Sequence, residues 1–190
     1  MNANKFLNEY FTEFRNIIEP PEIHNHLVLL KNAMLHVKEN VSKIILAGNG
    51  ASASIASHFA LDFTKQGKVK AIAFNDATFI TAYSNDYGYD NWVKKAISHH
   101  GSQNDLAILI SSSGKSPNII NAAIEARDIG IKVVTLTGFA PDNPLKKLGD
   151  INLWVDCKAY NIIESVHSFW LAAACDLLIG KSEYSTSDKY

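Results

Sequence analysis

The chain has 190 residues, 47% of them apolar and 19% charged, enough for a sizeable core and too apolar for a disordered chain. Its formal net charge of −1 gives no support for nucleic acid or an anionic membrane surface as the main partner. No apolar run reaches the ~20 residues of a membrane helix, and Met1-Asn2-Ala3-Asn4-Lys5 lacks the layout of a signal peptide. Cys157 and Cys175 fit neither a disulfide framework nor a zinc motif. The expectation is a single cytoplasmic domain.

Residues 4–18 carry Phe6, Leu7, Tyr10, Phe11, Phe14, Ile17 and Ile18 at helical spacing, and Pro20-Pro21 ends that helix. A second helix over 22–39 aligns Ile23, Leu27, Leu30, Met34 and Val37 on one stripe. These two helices form either a cap on the domain or a subunit interface; His24, His26 and His36 on them read as surface residues. From residue 43 short apolar runs alternate with helical patterns: strands are expected at 43–47, 70–74, 106–110, 132–137 and 151–155. Helices are expected at 53–66, 78–84, 90–99, 117–129 and 162–179, with a polar loop over 85–90 and a loose tail over 181–190. The reading divides the domain into a helical pair (1–40), an α/β core (41–180) and the tail. Such alternation predicts an α/β fold, a five-stranded parallel sheet between two helical layers. Ligands in such sheets sit beyond the carboxyl ends of the strands, where the strand order reverses.

Two polar turns fall at that edge. Ser111-Ser112-Ser113-Gly114-Lys115-Ser116 follows a strand and precedes a helix, with Ser116 placed as N-cap and Pro117 as first helical residue. Four hydroxyls and free backbone N–H groups at the positive end of a helix suit an oxyanion, most simply a phosphate; the plain alternative is a polar turn with one capping serine. Gly48-Asn49-Gly50-Ala51-Ser52-Ala53 formally satisfies G-x-G-x-x-A, a short pattern that leaves the serine loop unexplained. A P-loop is excluded because Leu109 stands where that motif needs glycine. No nucleotide cofactor is expected.

His58 and Asp62 lie four apart on one helix face, a spacing for metal ligands, an acid–base pair or merely a solvated face. Glu164 and His167 lie three apart near the start of an otherwise apolar helix, where burying them unpaired is costly, so they read as functional.

Taken together these pieces resemble the sugar isomerase (SIS) family, specifically its phosphoheptose isomerases. The family's G-N-G-G-S-A-x-x-A-x-H-F-A-x-E-L is similar to residues 48–63. Its S-N-D-[FY]-G matches Ser84-Asn85-Asp86-Tyr87-Gly88, and its S-[TS]-S-G-N-S-x-N matches Ser111 to Asn118. Its V-[IV]-T-L-T-G recurs as Val133 to Gly138. The resemblance implies a flavodoxin-like three-layer αβα sandwich preceded by two helices. It also implies that Ser111, Ser112, Ser113 and Ser116 hold a sugar phosphate, with Asn49, Gly50 and Ser52 along the sugar and Asp86 nearby. Members interconvert sedoheptulose 7-phosphate and a heptose 7-phosphate through an enediol, for lipopolysaccharide or capsule heptose, as cytoplasmic homotetramers with shared sites.

The chain also departs from the family. Asp62 stands for the catalytic glutamate, Glu164 for a glutamine of Q-E-x-H, and Ala172 for a histidine that is both zinc ligand and acid–base partner; His167 matches the motif's first histidine. Two accounts follow. In one, Asp62 and Glu164 transfer the proton, and His58, Asp62 and Glu164 form a three-ligand zinc site with an open position. In the other, the protein is a non-catalytic phosphosugar-binding SIS protein of the type associated with replication initiation.

Overall fold

The structure, a computed structural model, describes residues 1–183; most of the tail expected over 181–190 lies outside the described residues. Helices α1 (Ala3–Ile17) and α2 (Ile23–Glu39) come first, followed by β1 (Ile44–Ala47), α3 (Ala51–Lys65), β2 (Ala71–Ala73), α4 (Ala77–Tyr87) and α5 (Trp92–His100). Then come β3 (Leu106–Ser111), α6 (Pro117–Asp128), β4 (Lys132–Thr137), β5 (Ile151–Trp154) and α7 (Tyr160–Ile179). All five strands are parallel in the order β2-β1-β3-β4-β5. This is the doubly wound order whose reversal lies between β1 and β3.

Side chains on the central strands alternate between two cores, as a period of two requires. Ile44, Leu46, Leu106, Ile108, Ile110, Val134 and Leu136 face the layer of α2, α3 and α7. Ile45, Ala47, Ala107, Leu109 and Val133 face α5 and α6, with α4 leaning on that side through Phe79 and Ile80. The continuous apolar character of β3 follows from this two-sided burial.

The expected loop over 85–90 is corrected. Nothing between Thr78 and Tyr87 breaks a helix, so α4 runs through Tyr87 and stops at Gly88, whose φ is +81°. The helix expected from residue 53 begins at Ala51, and the last one at Tyr160.

The expectation that no stretch is long and apolar enough to cross a membrane is also corrected. α7, at 20 residues, meets that test by length and composition. It packs on α2 and α3, and Ile163, Val166, Trp170, Leu171 and Ala174 on it are buried. In contrast, α1 buries no residue: Tyr10, Phe14 and Ile17 lean on the core, while Phe6, Leu7 and Phe11 stay exposed. The indole N–H of Trp170 ties the end of α1 down by donating to the Ile18 carbonyl at 2.7 Å.

Candidate active site

The serine loop leaves β3 at the switch in strand order and is clamped from the β4–β5 connection. The backbone N–H of Gly138 donates to the Ser112 carbonyl at 2.8 Å, and that of Leu145 to the Gly114 carbonyl at 3.1 Å. Gly114 adopts φ +64°, and a Cβ on it would overlap the Asn143 side chain. That position therefore needs glycine twice over. Asn143 is buried and fully engaged: its amide donates to Thr137 Oγ1 and to the Gly138 and Ala140 carbonyls, and its Oδ1 accepts from the N–H of Lys146.

Within the loop, Ser116 occupies the N-cap of α6, as the sequence predicts, yet its hydroxyl makes no capping bond. It sits 3.1 Å from the Ser111 hydroxyl instead, leaving the first N–H groups of α6 without a side-chain cap. Ser113 Oγ accepts from the N–H of Lys115 at 3.2 Å. Ser112 is 5% exposed, and its Oγ has no hydrogen-bond partner among the described residues. A buried polar atom left this way costs about 1–3 kcal/mol, a cost that a bound anion would relieve.

The glycine turn after β1 faces this loop. A Cβ on Gly48 would lie 2.6 Å from the Ser52 carbonyl carbon, so glycine lets α3 start close against the strand. Gly50, at φ +56°, is the uncapped N-cap of α3. Asn49 and Asn118 exchange amide hydrogen bonds, each 2.9 Å, and the Tyr89 hydroxyl donates to Asn49 at 3.1 Å.

Between the turns lies a cleft of about 140 Å³ bordered by Ile110 and by eight polar residues, Asn49, Ser52, Ser111, Ser112, Ser113, Ser116, Tyr160 and Glu164. Seven of these eight were named from sequence; Tyr160 was not. Gly50 and Asp86 do not border it: Gly50 is exposed, and Asp86 is exposed near the end of α4, accepting from Asn85 at 2.9 Å.

Glu164 and His167 separate. Three residues turn a helix by about 300°, so the two side chains point some 60° apart. Glu164 borders the cleft, and burial raises its pKa above the ordinary glutamate value. His167 is fully buried away from the cleft lining, its Nε2 donating to the Thr137 carbonyl at 3.1 Å. Asp62, on α3, pairs with His58 at 3.3 Å and also lies outside the cleft lining. Among the described residues no three His, Cys, Asp or Glu side chains gather where they could hold a metal. The expected zinc set of His58, Asp62 and Glu164 is thus not assembled within the chain, because His58 and Asp62 pair with each other on α3 while Glu164 faces the serine loop. Ala172, exposed on α7, supplies no further ligand.

The arrangement gathers hydroxyls and helix N-termini, groups that suit an oxyanion, with one protonatable carboxyl at the edge. The SIS domain family pattern matches residues 9–138, more than half of the chain. The chain belongs to the SIS domain family. Its SIS relatives include the phosphoheptose isomerase of Helicobacter pylori strain HPAG1, 36% identical over 146 residues covering 74% of this chain and 76% of that protein. The phosphoheptose isomerase of Aliarcobacter butzleri is 38% identical over 146 residues, covering 74% and 77%. Among solved structures, the phosphoheptose isomerase of Neisseria gonorrhoeae superposes with a TM-score of 0.85 at 30% identity, covering 93% of this chain and 99% of that one. Within the SIS family the chain groups with the phosphoheptose isomerases, and it is accordingly an isomerase.

Proposed function

We propose that the chain interconverts sedoheptulose 7-phosphate and D-glycero-D-manno-heptose 7-phosphate in the cytoplasm, serving heptose supply for lipopolysaccharide or capsule, as a homotetramer. The observation that carries the phosphosugar part is the buried, unpartnered Ser112 hydroxyl in a cleft ringed by four further serines and by Glu164.

Serine hydroxyls and the N–H groups opening α6 hold the phosphoryl group and so fix where the other end of the sugar lies. At that end one carboxylate takes a proton from C1 of the ketose while an acid protonates the C2 carbonyl oxygen, giving an enediol. Returning a proton to C2 and releasing the O1 proton completes the aldose. Glu164 is assigned to this transfer because burial keeps it protonatable at higher pH than an ordinary glutamate. Asp62 is kept from the family pattern as the second carboxyl; it lies outside the cleft lining, paired with His58 on α3. No step is assigned to a metal.

In heavy water, sedoheptulose 7-phosphate should acquire deuterium at C1, seen by NMR. Glu164→Gln should slow that exchange by about 100-fold or more while phosphosugar binding persists. The second reading, phosphosugar binding without turnover, is favoured by the exposed Ala172 in place of the family's histidine. Neither isomer nor deuterium incorporation by the wild-type protein would decide for it.

A further inference from the structure

We propose that Tyr160 is a substrate-contacting residue whose phenol donates to the phosphoryl group held by the serine loop; this rests on the phosphosugar reading above. Tyr160 is the first residue of α7 and stands one helical turn before Glu164, so both side chains fall on the same stretch of the cleft wall. The cleft it borders includes all four loop serines, among them the buried and unpartnered Ser112. Tyr160 thus shares its wall with the hydroxyls assigned to the phosphoryl group.

The ring is backed by an unusual piece of chain. Phe139 packs on it with centroids 5.0 Å apart and planes at 55°. Phe139 itself adopts φ +56°, a conformation that is costly for a bulky residue. It is held there by its N–H, which donates to the Cys157 carbonyl at 2.9 Å, and it directly follows Gly138, whose own N–H clamps Ser112. One strained segment thus contacts both the loop assigned to the phosphate and the Tyr160 ring at the border of the cleft. Tyr160 is 55% exposed, so its hydroxyl is open to solvent and to a ligand in the cleft.

The test is calorimetric titration of wild type, Tyr160→Phe and Tyr160→Ala with inorganic phosphate and with sedoheptulose 7-phosphate. Tyr160→Phe keeps the ring and its packing and removes only the donor. It should raise Kd for both ligands by about tenfold, as expected for a hydrogen bond to a charged group. In turnover its KM should rise with kcat little changed. Tyr160→Ala should weaken both ligands at least as much. If Tyr160→Phe binds phosphate within twofold of wild type, or loses affinity for the phosphosugar alone, the phosphoryl contact is refuted. A wild-type protein that binds neither ligand would instead overturn the phosphosugar reading on which the contact rests.

Discussion

His167 illustrates how one side chain's surroundings set its part. Burial lowers its pKa to about 4, opposed by the hydrogen bond to the Thr137 carbonyl, and its Nδ1 has no partner among the described residues. The folded protein therefore keeps the ring neutral at pH values where the unfolded chain, near 6.5, would already protonate it. The stability this contributes is complete above pH 6.5 and is lost as the pH falls towards 4. A shift of that size corresponds to about 3 kcal/mol. His167→Gln should remove that part of the acid sensitivity, measured as a smaller fall in unfolding free energy between pH 6.5 and 4 than wild type shows. A role at the reacting carbons is hard to reconcile with a ring buried behind Thr137. Glu164, one helical face away, shifts in the opposite direction through the same cause, because burial disfavours whichever form is charged.

At the scale of elements, the serine loop owes its shape to a segment distant in sequence. Asn143 spends its whole amide on the β4–β5 connection and fills the concavity that Gly114 leaves open. Asn143→Ala should destabilise the fold by about 2–4 kcal/mol, the scale of a broken buried network. It should also weaken phosphate affinity without touching any group that meets the ligand, as melting curves and a phosphate titration would show. Gly114→Ala should do the same through a different route, the left-handed φ and the clash with Asn143. Four hydroxyls and a helix start were legible from the local pattern Ser111–Pro117. The clamp was not, since nothing in the composition of 138–149 marks Asn143 as buried rather than as an ordinary turn residue. The error over residues 85–90 has the same origin: polar Asn85 and Asp86 suggest a loop, yet on the solvent side of a helix they incur no penalty.

For the whole molecule, the parallel sheet places the turns after β1 and β3 side by side and aims both into one cleft. Its two helical layers leave α1 with an uncovered apolar face of Phe6, Leu7 and Phe11. The proposed homotetramer accounts for that face. Sedimentation should then give a species of four chain masses, and Phe11→Lys should shift it to smaller species while the helical signal is kept. A wild-type monomer at micromolar concentration would exclude the tetramer.

The sequence by itself determined the alternation of strands and helices and the two polar turns, the serine loop among them. Those signals are carried by neighbours within one turn of helix or two residues of strand, where periodicity, glycine and proline act directly. Only the tertiary structure decided that Tyr160 shares the cleft and that His167 leaves it. The same holds for Asn143 bracing the loop, and for His58 and Asp62 pairing apart from Glu164. Each of those depends on which face of a helix meets which strand, and burial, not residue type, then assigns the proton.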